Sequence, residues 1–154
     1  MDGILLSIEQ LAPVRALKLS FYAYPIINAA HILAVGALLT CVTLLDLRIL
    51  GALRAQQAGP FGMLMRRIAL SAFAGAAATG IALFSVRASD YAAMPLFLLK
   101  LSLIALAIGN FLVFARLAGL DPGRPLGPVA KLLAALSIGL WLAILVCGRF
   151  LGFV

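Results

Sequence analysis

The sequence predicts an all-α polytopic membrane protein, a four-helix transmembrane bundle preceded by an amphipathic interfacial segment. Apolar residues make up 65% of the 154 residues and charged residues only 11%, with a strongly positive mean hydropathy, far from soluble globular usage. The apolar residues fall in four runs, each close to the roughly 20 residues that cross a bilayer. The connections between them are short and leave no room for a separate soluble domain, so residues 1–154 read as one transmembrane domain.

Residues 1–24 place Ile4, Leu5, Ile8 and Leu11 at helical spacing, with Asp2, Glu9, Arg15 and Lys18 between them. Pro13 is expected to break or kink this interfacial segment, and Phe21, Tyr22 and Tyr24 suit the headgroup zone. Span one covers residues 25–45, with Pro25 at a first helical position and Gly51 closing the helix after Asp46-Leu47-Arg48. It runs into Asp46 and Arg48 without a small-residue processing site, so it is expected to stay in the membrane.

Span two covers residues 63–86, after the breaker-rich Gln56-Gln57-Ala58-Gly59-Pro60. Ser71, Gly75 and Thr79 form one stripe on it, with Ala76 and Gly80 alongside. Small residues at this spacing let helix backbones approach closely, so span two should be the most tightly packed. Spans three and four cover residues 95–114 and 129–150, separated by the turn-rich Asp121-Pro122-Gly123-Arg124-Pro125-Leu126-Gly127-Pro128.

The net charge of +7 comes from basic residues at the ends of the runs, which fits anchoring and orientation and argues against nucleic-acid binding. The first and third connections carry Arg48, Arg54, Arg66, Arg67, Arg116, Arg124 and Lys131, against Arg15, Lys18, Arg87, Lys100 and Arg149 on the other side. That asymmetry places both termini outside a bacterial-type inner membrane, in the periplasm. Cys41 and Cys147 fall in opposite leaflets, roughly 15 Å or more apart in depth at 1.5 Å per residue, so no disulfide is expected between them. A faint repeat links His31, Arg48 and Gly51 of span one to Lys100, Arg116 and Gly119 of span three.

His31 and Lys100 are the only titratable side chains inside the runs away from their ends. Such groups are costly in hydrocarbon and are usually retained for a role. Both lie roughly 8–9 Å into their spans from the outer face, with Asn28 on the His31 face and Ser85, Arg87, Asp90 and Tyr91 closing the same end. Lys100 is long enough to snorkel to water, and that reading stands beside a functional role. His31 is shorter, and a neutral imidazole there is a metal ligand. Haem b suits the setting, with His31 on the iron and Arg87 or Lys100 on the propionates. A single histidine leaves the sixth position to Met94, Lys100, water or a second subunit.

Two other readings stand beside haem. One is copper handling, for which Met63, Met65, Met94, Cys41, Cys147 and His31 are the only soft or borderline ligands. The other is a non-catalytic subunit, or a homo-oligomer, packing through the small-residue face of span two. Asp46 is expected to pair with Arg48, Arg67 or Arg116. No nucleophile elbow, phosphate-cradling glycine loop, zinc motif or paired-carboxylate site is visible, which disfavours a hydrolase or nucleotide-dependent enzyme.

The stretch Ile26-Ile27-Asn28-Ala29-Ala30-His31-Ile32-Leu33, followed by Leu45-Asp46-Leu47-Arg48-Ile49-Leu50-Gly51 and later by Tyr91-Ala92-Ala93-Met94-Pro95-Leu96-Phe97-Leu98-Leu99-Lys100-Leu101, resembles an uncharacterised bacterial family of small four-helix inner-membrane proteins. A looser likeness extends to the membrane haem-binding protoporphyrinogen oxidase and to the copper-resistance protein D domain. In the first of these a span-one histidine and a span-three lysine are functionally important, and His31 and Lys100 match them in type and span. The resemblance therefore implies haem binding. The chain departs from the pattern in its scarcity of other polar residues and at Met94, where the close family more often has asparagine.

Overall fold

A computed structural model describes residues 2–53, 58–118 and 127–153. Arg54, Gln56, Gln57, Gly119 and the Asp121 to Leu126 turn, with its Arg124, lie outside them, as does Gly119's part in the repeat. The described chain is an all-α bundle: α1 (Asp2–Glu9), α2 (Ala12–Leu19), α3 (Ala23–Leu50), α4 (Ala58–Val86), α5 (Ala88–Ala93), α6 (Pro95–Ala118) and α7 (Pro128–Phe150). Four of these, α3, α4, α6 and α7, are long and apolar enough to cross a membrane.

The punctuation residues explain the boundaries. A proline ring clashes with the carbonyl four residues back, so Pro13 ends α1 at Glu9 and then sits harmlessly in the first turn of α2. Pro25 is the third residue of α3, within its first turn rather than at its first position, because the helix begins at Ala23, where the Ser20 Oγ accepts the Ala23 N–H at 3.1 Å. Gly51 closes α3 at φ 95°, a left-handed conformation that glycine adopts without Cβ strain. Met94 is extended, the conformation that a following proline favours, and Pro95 opens α6.

Around the bundle the order is α4, α3, α7, α6, with the most extensive interfaces between α3 and α4 and between α6 and α7. The small-residue stripe of α4 is turned onto α3: a Cβ at Gly75 would meet the Ala34 Cβ at 3.6 Å. That face is occupied within the chain itself. The fourth seam differs. Among the described residues α4 and α6 meet through long side chains, with the Phe84 and Phe97 rings stacked at 5.3 Å near one end and the Arg66 guanidinium 5.6 Å from the Phe111 centroid near the other.

Two apolar centres hold the molecule. Leu38, Cys41 and Ala69 are buried with Val42, Met65, Ala72, Phe73 and Trp141 against them, joining α3, α4 and α7. At the end where α4 meets α5, Val14, Val86 and Ala88 are buried together with Ser85. The outward faces carry Leu33 at 75%, Ile81 at 69% and Leu132 at 69% exposure. An apolar surface of that extent belongs in a bilayer, and the chain is a multi-pass membrane protein.

The N-terminal helices also dock on the bundle. Glu9 accepts the Ser89 backbone N–H at 2.9 Å and the Ser89 hydroxyl at 2.6 Å through one carboxylate oxygen, tying α1 to the start of α5. The apolar residues Ile4, Leu6 and Leu11 remain exposed, as an interfacial segment requires.

Candidate functional site

His31 lies two turns into α3, half-buried against α4. Its Nδ1 is 2.9 Å from the Thr79 Oγ1. The Thr79 hydroxyl in turn donates to the Gly75 carbonyl at 2.6 Å, with the Ala76 carbonyl at 3.3 Å. A hydroxyl has one proton, and here it is directed to the helix backbone, so toward His31 the threonine oxygen is an acceptor. The imidazole proton is thereby assigned to Nδ1, which leaves the Nε2 lone pair for a ligand.

Gly80 provides the seat for the ring. A Cβ at that position would lie 3.2 Å from the His31 Cε1 and 3.7 Å from its Nδ1. Lys100 has a matching seat on the other helix pair, because a Cβ at Gly148 of α7 would lie 3.6 Å from its Nζ and 3.7 Å from its Cε. In each pair a polar side chain of the first long helix therefore rests on a glycine of the second. The two sites occur at nearly the same spacing along the chain.

Lys100 is half-buried, within electrostatic reach of His31, and Cys147 is its neighbour on α7. Gly148 lies near the end of α7, so the ammonium is carried toward that end of the bundle, as snorkelling predicts. Among the described residues no carboxylate pairs with it. Arg87 is instead engaged: its Nε is 2.8 Å from the Asp90 Oδ2 in an exposed ion pair at the start of α5. Asn28 is exposed on α3, and His31 donates its hydrogen bond to Thr79, with Asn28 taking no part in it.

Asp46 corrects an expectation. It is buried at 7% exposure, facing Ser137 of α7, and its Oδ2 has no hydrogen-bond partner among the described residues. It pairs with none of Arg48, Arg67 or Arg116. Two residues along a helix is a rotation of about 200°, so Arg48 points away, and it donates to the Leu53 carbonyl at 3.3 Å. Asn110 ties α6 to α7 by donating to the Leu133 carbonyl at 3.0 Å.

The soft ligands do not converge. Met63 and Met65 lie toward the start of α4, Cys41 is buried in the apolar core beside Met65, and Met94 lies between α5 and α6; both cysteines are free. Among the described residues no three His, Cys, Asp or Glu side chains come together. Two shallow, open grooves lie on the surface. One of about 380 Å³ lies between α6 and α7, around Gly109, Asn110 and Leu133; the other, of about 410 Å³, lies on the first turns of α4.

Comparisons with protein-family models, with curated proteins and with solved structures find no match to this chain.

Proposed function

We propose that this bundle binds haem b in a bacterial inner membrane, through the Nε2 of His31, and serves a haem-dependent redox role. The observation that carries the proposal is the chain from the His31 Nδ1–H to the Thr79 hydroxyl to the Gly75 carbonyl. Ligating histidines characteristically donate their other ring N–H to an oxygen, which fixes the tautomer and the ring orientation and raises basicity at the ligating nitrogen. His31 would thus supply one imidazole nitrogen to the haem iron. When bound, haem supplies one-electron chemistry.

The chain's own residues then divide the remaining work. Thr79 holds the proton at Nδ1, and Gly80 gives the ring its position. Lys100, which among the described residues has no carboxylate partner, is the partner for an anionic group on the cofactor, with Arg87 a second partner already shared with Asp90. Asn28 contributes polarity on the same helix face. Both termini are assigned to the periplasmic side, because Arg48, Arg66, Arg67, Arg116 and Lys131 gather at the other end of the long helices.

The test is titration of haem into the purified, detergent-solubilised protein. Wild type is expected to give a saturable Soret band, His31→Ala none, and Thr79→Val an affinity about 10–100-fold weaker, the usual effect of removing a ligand's orienting partner. Equal titration curves for the three proteins would refute the assignment.

A further inference from the structure

We infer that the groove on the first turns of α4, with Arg67 at its rim, binds the phosphodiester headgroup of an anionic phospholipid. It is lined by Gly59, Pro60, Met63, Leu64 and Arg67. These residues recur along one helix face, where Gly59 and Pro60 carry no long side chain and so leave a notch. Met63 and Leu64, each 55% exposed, form an apolar floor beside it.

Depth identifies the source of the phosphate. Helix α4 has 29 residues, about 43 Å at 1.5 Å per residue, against about 30 Å of hydrocarbon. The uncharged stretch between Arg67 and Arg87 is itself about 30 Å long, so these two arginines mark the hydrocarbon boundaries. Everything on α4 before Arg67 then lies in the headgroup layer, the groove included. A side chain on a helix leans toward its N-terminus, which carries the Arg67 guanidinium toward the notch.

Charge selects the kind of lipid. Arg67 is exposed and, among the described residues, has no ion-pair or hydrogen-bond partner, whereas Arg66 is engaged over Phe111. Arg48, Arg116 and Lys131 lie at the same end of the bundle, and Asp46, the described acidic residue there, is buried toward α7. The layer is cationic and not internally neutralised, so it complements an anionic headgroup better than a zwitterionic one.

The experiment is native mass spectrometry of the full-length protein after equal exposure to phosphatidylglycerol and phosphatidylcholine in detergent. The expected result is about fivefold greater retention of phosphatidylglycerol, the ratio that one basic residue at an anionic surface supplies. The preference should vanish in Arg67→Gln and in Leu64→Glu, both at exposed positions, and persist in Arg15→Gln at the other end of the bundle. Equal retention of the two lipids by wild type, or an unchanged preference in both groove variants, overturns the proposal. Displacement of the lipid by millimolar inorganic phosphate overturns it too, by assigning the groove to free phosphate. These residues are separate from His31, so the outcome is independent of the haem titration.

Discussion

At the residue scale, a histidine in hydrocarbon was visible from the sequence, but what holds it was not. Its partner Thr79 is 48 residues away, and which turn of α4 faces His31 depends on how the two helices pair. The stripe of Ser71, Gly75 and Thr79 announced close packing without saying that its threonine would orient an imidazole. The seats are subtler still, since Gly80 and Gly148 are two glycines among 14. Their role follows from the side chains that rest on them. Replacing Gly80 with valine should drive the ring off Thr79, because even a bare Cβ would come within 3.2 Å of its Cε1. The expected outcome is a haem affinity at least about tenfold weaker, measured by titration, with helicity by circular dichroism unchanged.

At the element scale, punctuation was the most legible information in the chain. Gly51 was expected to close α3 and does so at φ 95°; Gly51→Ala should therefore destabilise the protein by about 1 kcal/mol, read as a lower unfolding midpoint in denaturant. The docking of α1 was not legible, because it depends on one side chain, Glu9, meeting the start of α5. The Ser89 hydroxyl and backbone N–H hold that carboxyl below its ordinary value of 4.5. A lowered folded value means that the link is fully present above about pH 4.5 and is lost as the pH falls through the lowered value. The protection of the α1 amides, taken relative to their intrinsic exchange rate at each pH, should accordingly fall on acidification, and Glu9→Ala should show weak α1 protection already at neutral pH. Slow exchange in that variant would mean that Val14 and its apolar neighbours hold the segment unaided.

At the scale of the whole molecule, hydropathy specified the four long helices of the bundle. The spans read from the sequence differ from the helices mainly at their ends, where polar residues such as Arg48 and Arg116 continue the helix beyond the apolar run. The neighbour order was beyond the sequence, since it depends on which faces interlock. That order places Asp46 against α7 instead of among the arginines. The topology assigned here predicts that cysteine-reactive reagents confined to the periplasm will label a cysteine introduced at Phe153 and spare one introduced at Lys131, in a background without Cys41 and Cys147. The reverse pattern would invert the bundle.

The account depends most on the free nitrogen of His31. In His31→Gly the imidazole is deleted and space is left beside Thr79, so added imidazole can take its place. The variant should show no Soret band with haem alone and recover one, saturably, when imidazole is supplied. A band of wild-type intensity in His31→Gly without imidazole, or no band in the wild-type protein, would contradict the assignment.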